Sequence, residues 1–324
     1  MGYAPPGTNP TELVALAQEA ERLGYDSAWA AEAWGTDAVS VLAWLAAVTE
    51  RIKVGSAIMQ IPARTPAATA MTAATLDLMS GGRFLLGLGT SGPQVVEGWH
   101  GQEWGKPLAR KREYVEIVRA ALRREPLVYE GEHYRLGDPA LKLMVRPLRA
   151  EIPIFLAAMS PKAVEQAAEI ADGWLPLFFV PERAREVFPA PFARNRGKGG
   201  LDIAASVPAL LSDDVESARD ALKPYYALYV GSMGSRAKNF YNEVFARFGY
   251  EREAKEIQEL ALAGKQREAA ALVPDSFVDA AALVGPVERM RERLAAFRDA
   301  GVTTVLVSTR DEATLRAVAE AAAS

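Results

Sequence analysis

The sequence predicts an α/β fold of the (β/α)8 TIM-barrel class. Two observations carry that reading. Short apolar strands alternate with amphipathic helices, the pattern of βα units and a parallel sheet. The seven strands read this way are spread over all 324 residues with no polar linker between them, which favours one barrel over two doubly wound halves. The expected organisation is a single domain over residues 1–324, with a helical insertion at about 225–284 before the last strand.

The elements follow in order. Asn9 is placed to cap a helix that begins at Pro10, carries Glu12 in its first turn, buries Leu13, Leu16, Ala17, Ala20 and Leu23, and stops at Gly24. The run Ser27–Ala30 reads as a strand and 37–50 as a helix. A β-rich segment at 52–59, a Pro66-initiated helix to Ser80 and a strand at 84–88 come next. After a long loop, 108–124 is helical. The second half reads as strand 152–157, helix 161–171, strand 173–179, helix 182–188, strand 203–208 and helix 214–222. The mostly helical stretch from Tyr225 to Val284 follows, then helix 287–300, strand 302–308 and a terminal helix at 313–322.

Composition narrows the chemistry. With 41 acidic and 37 basic residues the net charge is −4, so the chain has no bulk electrostatic attraction for nucleic acid or an anionic membrane. The absence of cysteine removes disulfides, thiolate nucleophiles and iron–sulfur ligation, and two histidines, His100 and His133, cannot build a multi-histidine metal cage, so no metal is expected. No apolar run approaches the roughly 20 residues that span a bilayer, and the N-terminus lacks a secretion signal. A cytoplasmic protein is the expectation.

One motif invites a wrong reading. Gly87-x-Gly89-x-x-Gly92 follows a strand as a dinucleotide fingerprint does, yet Pro93 follows at once, the next helix is expected more than ten residues on, and the ribose-binding acid is missing. The glycines instead read as letting backbone approach a ligand at a strand end. In a barrel the site lies at the C-terminal strand ends. That rule collects Glu32, Trp34 and Asp37; Gln60 and Arg64; Gly89, Thr90, Ser91, Glu97, Trp99 and His100; Met159, Ser160 and Lys162; and Phe178 and Phe179. No nucleophile elbow or triad order appears among them. Apolar, aromatic and small residues with a few hydroxyls suit a flat aromatic cofactor that does its own chemistry. Trp29 reads as core. Thr90 and Ser91 either cap a turn or line the site, and His100 reads first as a structural hydrogen-bonder, with an acid role left open. The aromatic stretch Tyr225–Tyr241 reads as packing.

The stretches AEAWGTDAVSVLAWLA, RIKVGSAIMQIPARTPAATAMTAATLDLMSGGRFLLGLGTSGPQVVEGWHG, KPLARKREYVEIVRAAL, AEIADGWLPLFF, YYALYVGSMGSRAKNFYN and VTTVLVS closely resemble the coenzyme F420 (deazaflavin)-dependent oxidoreductases of the luciferase-like monooxygenase superfamily. The resemblance implies a TIM barrel of the bacterial luciferase-like type, a deazaflavin ring at its mouth, a small-molecule substrate and a homo-oligomer. It also implies a non-prolyl cis peptide at Ala57–Ile58 against the ring, an acidic residue near the ring at Glu32, ring and ribityl contacts at Gly89, Thr90 and Ser91, and a phosphate-binding turn at Met159 and Ser160. Gln60 joins these as a cofactor-binding candidate, and Glu32 and His100 are the candidate catalytic residues.

Three departures from the family pattern stand out. The chain opens at Met1-Gly2-Tyr3, where relatives have a preceding strand, so the first strand is expected to be missing or truncated. The stretch Gly137–Ala140 is shorter than the usual glycine-rich loop. The sugar-phosphate dehydrogenase branch has a catalytic histidine where this chain has Ala33 and a glutamate where it has Gly92, so that substrate is not inferred. The leading expectation is hydride transfer between F420 and a small organic substrate. The alternatives are an FMN-dependent monooxygenase of the same superfamily and a non-catalytic or vestigial cofactor-binding protein.

Overall fold

A computed structural model describes residues 10–149, 151–193, 200–234, 236 and 238–323. They group into two units, the first reaching Ala157 with 169–173 added, the second comprising 158–168 and 174 onward. The expectation of a missing first strand falls on residues 1–9, outside the described residues.

In the first unit, helix α1 (Pro10–Arg22) leads into strand β1 (Ser27–Ala30), followed by α2 (Ala38–Val48), β2 (Lys53–Ser56), β3 (Met59–Gln60), α3 (Pro66–Met79) and β4 (Phe84–Gly89). Then come α4 (Pro93–Gly98), α5 (Pro107–Leu122), the antiparallel pair β5 (Tyr129–Glu130) and β6 (Arg135–Leu136), and β7 (Ile154–Ala157). The sheet runs β1-β2-β4-β7 with β3 also on β4, all parallel. Asp37 caps α2 by accepting from the Ser40 N–H, and Thr65 caps α3 with Pro66 behind it.

Packing beneath the sheet explains two small residues. Trp29 is buried and meets Phe155 edge to face at 5.3 Å. A Cβ at residue 55 would lie 2.5 Å from the Trp29 ring, so only glycine lets β1 and β2 pair there. The Ser56 hydroxyl, fully buried, donates to the Gly87 carbonyl (2.8 Å) and accepts from the Gly87 N–H (2.9 Å). It takes over the link to β4 where the β2 ladder ends.

A buried ion pair closes the base of this unit. Asp77, fully buried on α3, accepts from the Arg149 backbone N–H (2.9 Å) and from its Nε and Nη2 (2.8 and 2.6 Å). Arg149 also donates to the Phe84 carbonyl at 2.5 Å.

The second unit carries α6 (Pro161–Ile170), β8 (Gly173–Leu175), the single turns α7 (Ala184–Val187) and α8 (Ala190–Ala193), β9 (Asp202–Leu211) and α9 (Val215–Ser232). It continues with α10 (Phe240–Arg247), α11 (Glu251–Leu262), α12 (Gln266–Ala271), α13 (Asp275–Ala281), β10 (Leu283–Gly285), α14 (Val287–Ala300), β11 (Thr304–Ser308) and α15 (Glu312–Ala322). The long β9 pairs with β11 along Ala204–Pro208 and with β10 along Ala209–Leu211, both parallel.

Four expectations need correction. A helix begins at Pro93, where a long loop was expected, because proline with its fixed φ suits a first helical turn even behind a glycine. The strand expected over 173–179 is regular only to Leu175: Pro176 has no N–H for the ladder, Leu177 keeps a single parallel bridge to Ser206, and Phe178 at φ +59° leaves strand geometry. Helix α9 runs through Pro224 to Ser232 instead of stopping at Leu222, its apolar face still buried at Tyr226, Ala227 and Val230. The insertion before the last strand therefore opens inside a helix and closes on the three-residue strand β10, too short to register as a period. The hairpin β5–β6 also escaped the sequence reading.

Two predictions follow from burial. Arg149→Ala strands the Asp77 carboxylate and should cost about 3 kcal/mol, visible as a lowered denaturant midpoint; a loss below about 1 kcal/mol contradicts the pairing. Lys111, on the buried face of α5, has no ion pair or hydrogen bond among the described residues, and burial lowers its pKa from 10.5 to about 8. Between pH 8 and 10.5 the unfolded chain holds a proton there that the native state has released, so stability rises with pH across that window. Lys111→Met should raise stability at pH 7 and flatten that rise; an unchanged pH profile contradicts it.

Candidate active site

The strand ends of the first unit converge on one carboxylate. Glu32, just past β1, is held by Arg64: Nη1 donates to Oε2 at 2.6 Å and Nη2 to Oε1 at 2.7 Å. Glu32 Oε2 also accepts from the Gln60 backbone N–H at 3.0 Å. The side chains are 8% and 18% exposed, so the pair lies away from most solvent screening. Arg64 reaches Asp37 as well, at 2.8 Å. The hydrogen bond to Glu32 is the main reason the Arg64 pKa is raised, against burial, with both carboxylates adding to it. Burial pushes the Asp37 carboxyl up, but bonds from Ser40 and the Arg64 charge outweigh it and hold the group below its usual range.

The carboxylate's hold on Gln60 extends outward. The Gln60 amide Nε2 donates to the Glu32 carbonyl at 3.2 Å, which turns Oε1 toward His100 Nε2 at 2.5 Å. A carbonyl oxygen only accepts, so Nε2 carries the hydrogen. In neutral imidazole the open lone pair is then on Nδ1.

Around this network lie the residues the resemblance singles out. The Ala57–Ile58 peptide is cis, as the resemblance implies. The backbone on both sides is pinned: the Ala57 N–H donates to Ala30, and Met59 and Gln60 pair with Leu88 and Gly89. A Cβ at residue 89 would sit 2.9 Å from the Ile58 side chain, so the end of β4 can approach the 57–58 peptide only as glycine. Ser91 takes φ +56°, which costs a non-glycine residue about 1–2 kcal/mol. Ala57, Ile58, Thr90, Ser91 and His100 are all half-buried, while Gln60 and Gly89 are buried. Glu32, Gln60 and His100 are thus joined by hydrogen bonds, with Ala57, Ile58 and Gly89 packed beside them.

The second unit holds the other two predicted positions. Met159 and Ser160 are half-buried at the start of α6, where the Ser160 carbonyl accepts from Val164 at 2.9 Å and its hydroxyl from Ala163 at 3.4 Å. Arg64 was on the strand-end roster, but nothing in the sequence marked it as the partner of Glu32, 32 positions away. Tyr114 was missed altogether. Fully buried on α5, its hydroxyl lies 2.5 Å from Thr69 Oγ1 and 3.2 Å from the Arg64 carbonyl, so it braces the backbone that presents the guanidinium. Only its place in the buried stripe of α5 hinted at it. Trp34 and Trp99 lie exposed on loops. Among the described residues no helix is long and apolar enough to cross a membrane.

Against known proteins, the luciferase-like monooxygenase family model matches residues 1–304, and the chain belongs to that family of enzymes. It is 46% identical, over 95% of its length and 93% of the relative's, to a Mycobacterium tuberculosis protein provisionally named a coenzyme F420-dependent oxidoreductase. It is 31% identical to the 5,10-methylenetetrahydromethanopterin reductase of Archaeoglobus fulgidus, over 91% of this chain and 88% of that one. Among solved structures, the coenzyme F420-dependent tetrahydromethanopterin reductase of Methanopyrus kandleri superposes with a TM-score of 0.82 at 25% identity, covering 97% of this chain and 95% of that one. The fold class expected from the sequence, an α/β barrel of the luciferase-like kind, is the one this match shows.

The network yields a spectroscopic prediction. In Gln60→Leu the Oε1 acceptor is gone and His100 loses its reason to keep Nε2 protonated. With only two histidines in the chain, nitrogen-15 NMR of the imidazoles should show His100 moving toward mixed tautomers while His133 stays put. An unmoved His100 contradicts the assignment.

Proposed function

We propose that this chain is a coenzyme F420-dependent oxidoreductase that moves a hydride between the deazaflavin and a small organic substrate. The observation that carries the reading is the strand-end surface of the first unit, where the cis Ala57–Ile58 peptide, the side-chain-free Gly89 and half-buried Thr90 and Ser91 stand beside a fixed hydrogen-bond network. Such a surface suits a flat ring: one face is apolar backbone and methyl groups, and the polar groups sit at its rim. The names of the relatives support the same cofactor.

When bound, the deazaflavin supplies or accepts the hydride. The protein's own residues do the rest. Ala57 and Ile58 form the wall against the ring, and Gly89 keeps that wall free of a side chain. Ser91, with its backbone in the left-handed region, turns the chain so that Thr90 and its own hydroxyl are offered to the cofactor. In the second unit, the Met159–Ser160 turn at the start of α6 carries backbone N–H groups of the kind that bind phosphate. Glu32, with both oxygens engaged, is a positioning residue: through Gln60 it fixes His100 so that Nδ1 is the site that takes or gives the substrate proton.

A fluorescence titration of the purified chain with oxidised F420, and separately with FMN, tests the reading. Micromolar or tighter F420 binding with clearly weaker FMN binding is expected. FMN preference would move the chain to the monooxygenase reading, and binding of neither would favour a vestigial protein. Gly89→Val, whose side chain would meet Ile58 and cover the wall, should weaken F420 more than tenfold, and Ser160→Pro, which removes one N–H, should weaken it less. Unchanged dissociation constants in both would contradict the placement of the cofactor.

A further inference from the structure

The second unit contains a group of aromatic side chains that the proposed chemistry does not use. Phe178 stands at its centre, buried, with ring centroids 6.4 Å from Tyr225, 5.4 Å from Tyr226, 6.0 Å from Tyr229 and 6.1 Å from Tyr241. Tyr229 in turn lies 4.9 Å from Tyr225 and 4.8 Å from Tyr241.

Three features set this group apart from ordinary packing. First, Phe178 holds φ +59°, a left-handed conformation that a bulky side chain rarely adopts and that the surroundings must enforce. It follows β8, and strand ends are where this fold class recognises its ligands. Second, the half-buried members of the group, Tyr225, Tyr229 and Tyr241, all carry a hydroxyl. Tyr226 behind them is fully buried with no hydrogen-bond partner for its hydroxyl. Third, the arrangement is built. Asn239, itself buried, accepts from the Tyr241 and Asn242 N–H groups to start α10 and donates to the Tyr229 and Val230 carbonyls of α9, which locks Tyr241 against Tyr229.

The chemistry of the group limits its ligand. Burial pushes the Tyr241 phenol up to about 12 and the Tyr225 phenol well above its ordinary value, so both stay neutral at physiological pH and can donate a hydrogen bond. Of the nearby cations, Lys223 pairs with Asp220 and Asp275 at 2.7 Å each, and Lys238 lies over the Phe240 ring at 5.9 Å. Neutral donors set between aromatic faces favour a flat, uncharged body with an acceptor oxygen.

We infer that Phe178, Tyr225, Tyr229 and Tyr241 form the substrate-recognition surface, and that the substrate is a planar, uncharged compound bearing a carbonyl group, stacked on the rings with its oxygen held by Tyr225 or Tyr241. This deepens the oxidoreductase reading and rests on it for the word substrate; the binding itself does not depend on the cofactor.

The test titrates the full chain with 2-acetylnaphthalene, followed by quenching of intrinsic fluorescence, beside 2-ethylnaphthalene, which lacks the oxygen, and 2-naphthoate, which is charged. The ketone should bind best. In the Tyr225→Phe, Tyr241→Phe double variant its affinity should fall about three- to tenfold, the worth of one or two hydrogen bonds, while the hydrocarbon is unaffected. The substitutions keep the rings, and circular dichroism on the same samples checks the fold. Equal ketone affinity in wild type and variant, no ketone binding at all, or tighter naphthoate binding would overturn the inference. An F420 titration separates the two readings. Affinity unchanged by the double substitution is expected. F420 affinity lost only in the variant would hand these phenols to the cofactor and overturn the inference. F420 binding absent from the wild type too would overturn the cofactor reading and leave the ketone result standing.

Discussion

The first unit's site depends on a carboxylate that is almost buried and completely bonded. Taking Glu32 and Arg64 out of water is costly unless each is satisfied, and here bidentate contacts of 2.6 and 2.7 Å, a backbone N–H from Gln60 and the second carboxylate of Asp37 satisfy them. The benefit is geometric. Glu32 follows β1, Gln60 ends β3 and Arg64 lies beyond it, so one ion pair ties the ends of two strands and the loop after them. Tyr114 holds the Arg64 backbone from behind, and Gln60 passes the order on to His100. The surface we propose for the ring needs such support, because loops alone do not hold a site's geometry with precision.

Close packing explains why the surface is made of small residues. Gly55 admits Trp29, Gly89 admits Ile58, and Ser56 replaces a missing ladder bond with its hydroxyl. Of the glycines that resemble a dinucleotide fingerprint, Gly87 and Gly89 lie within β4, and Gly89 serves this approach of backbone to side chain. In the second unit a different solution appears: large aromatic rings, held by Asn239 and by the unusual backbone of Phe178, surround phenols that keep their protons.

Much of this was legible in the sequence. Strands of four to six residues such as β1 and β4 stand out because buried parallel strands are continuous apolar runs between helices with clear caps. Asp37 and Pro66 announced their helix starts by chemistry that is local in the chain. The residues near the cis peptide came from resemblance, since no periodicity marks such a bond. What escaped was non-local or too short: the Glu32–Arg64 pairing, the brace at Tyr114, the three-residue strand β10, the hairpin β5–β6 and the passage of α9 through Pro224. Tyr225–Tyr241 reads as packing in one dimension, and the inferred recognition surface rests on the ring geometry together with half-burial of the phenols.

The central claim is that the surface beside the Glu32–Arg64 pair receives the deazaflavin ring. A crystal structure of the chain grown with F420 tests it most directly. The account predicts ring density against the Ala57–Ile58 peptide and Gly89, with Glu32 still paired to Arg64 and His100 still on Gln60. A ring bound elsewhere, or an ion pair opened to admit it, would contradict the account.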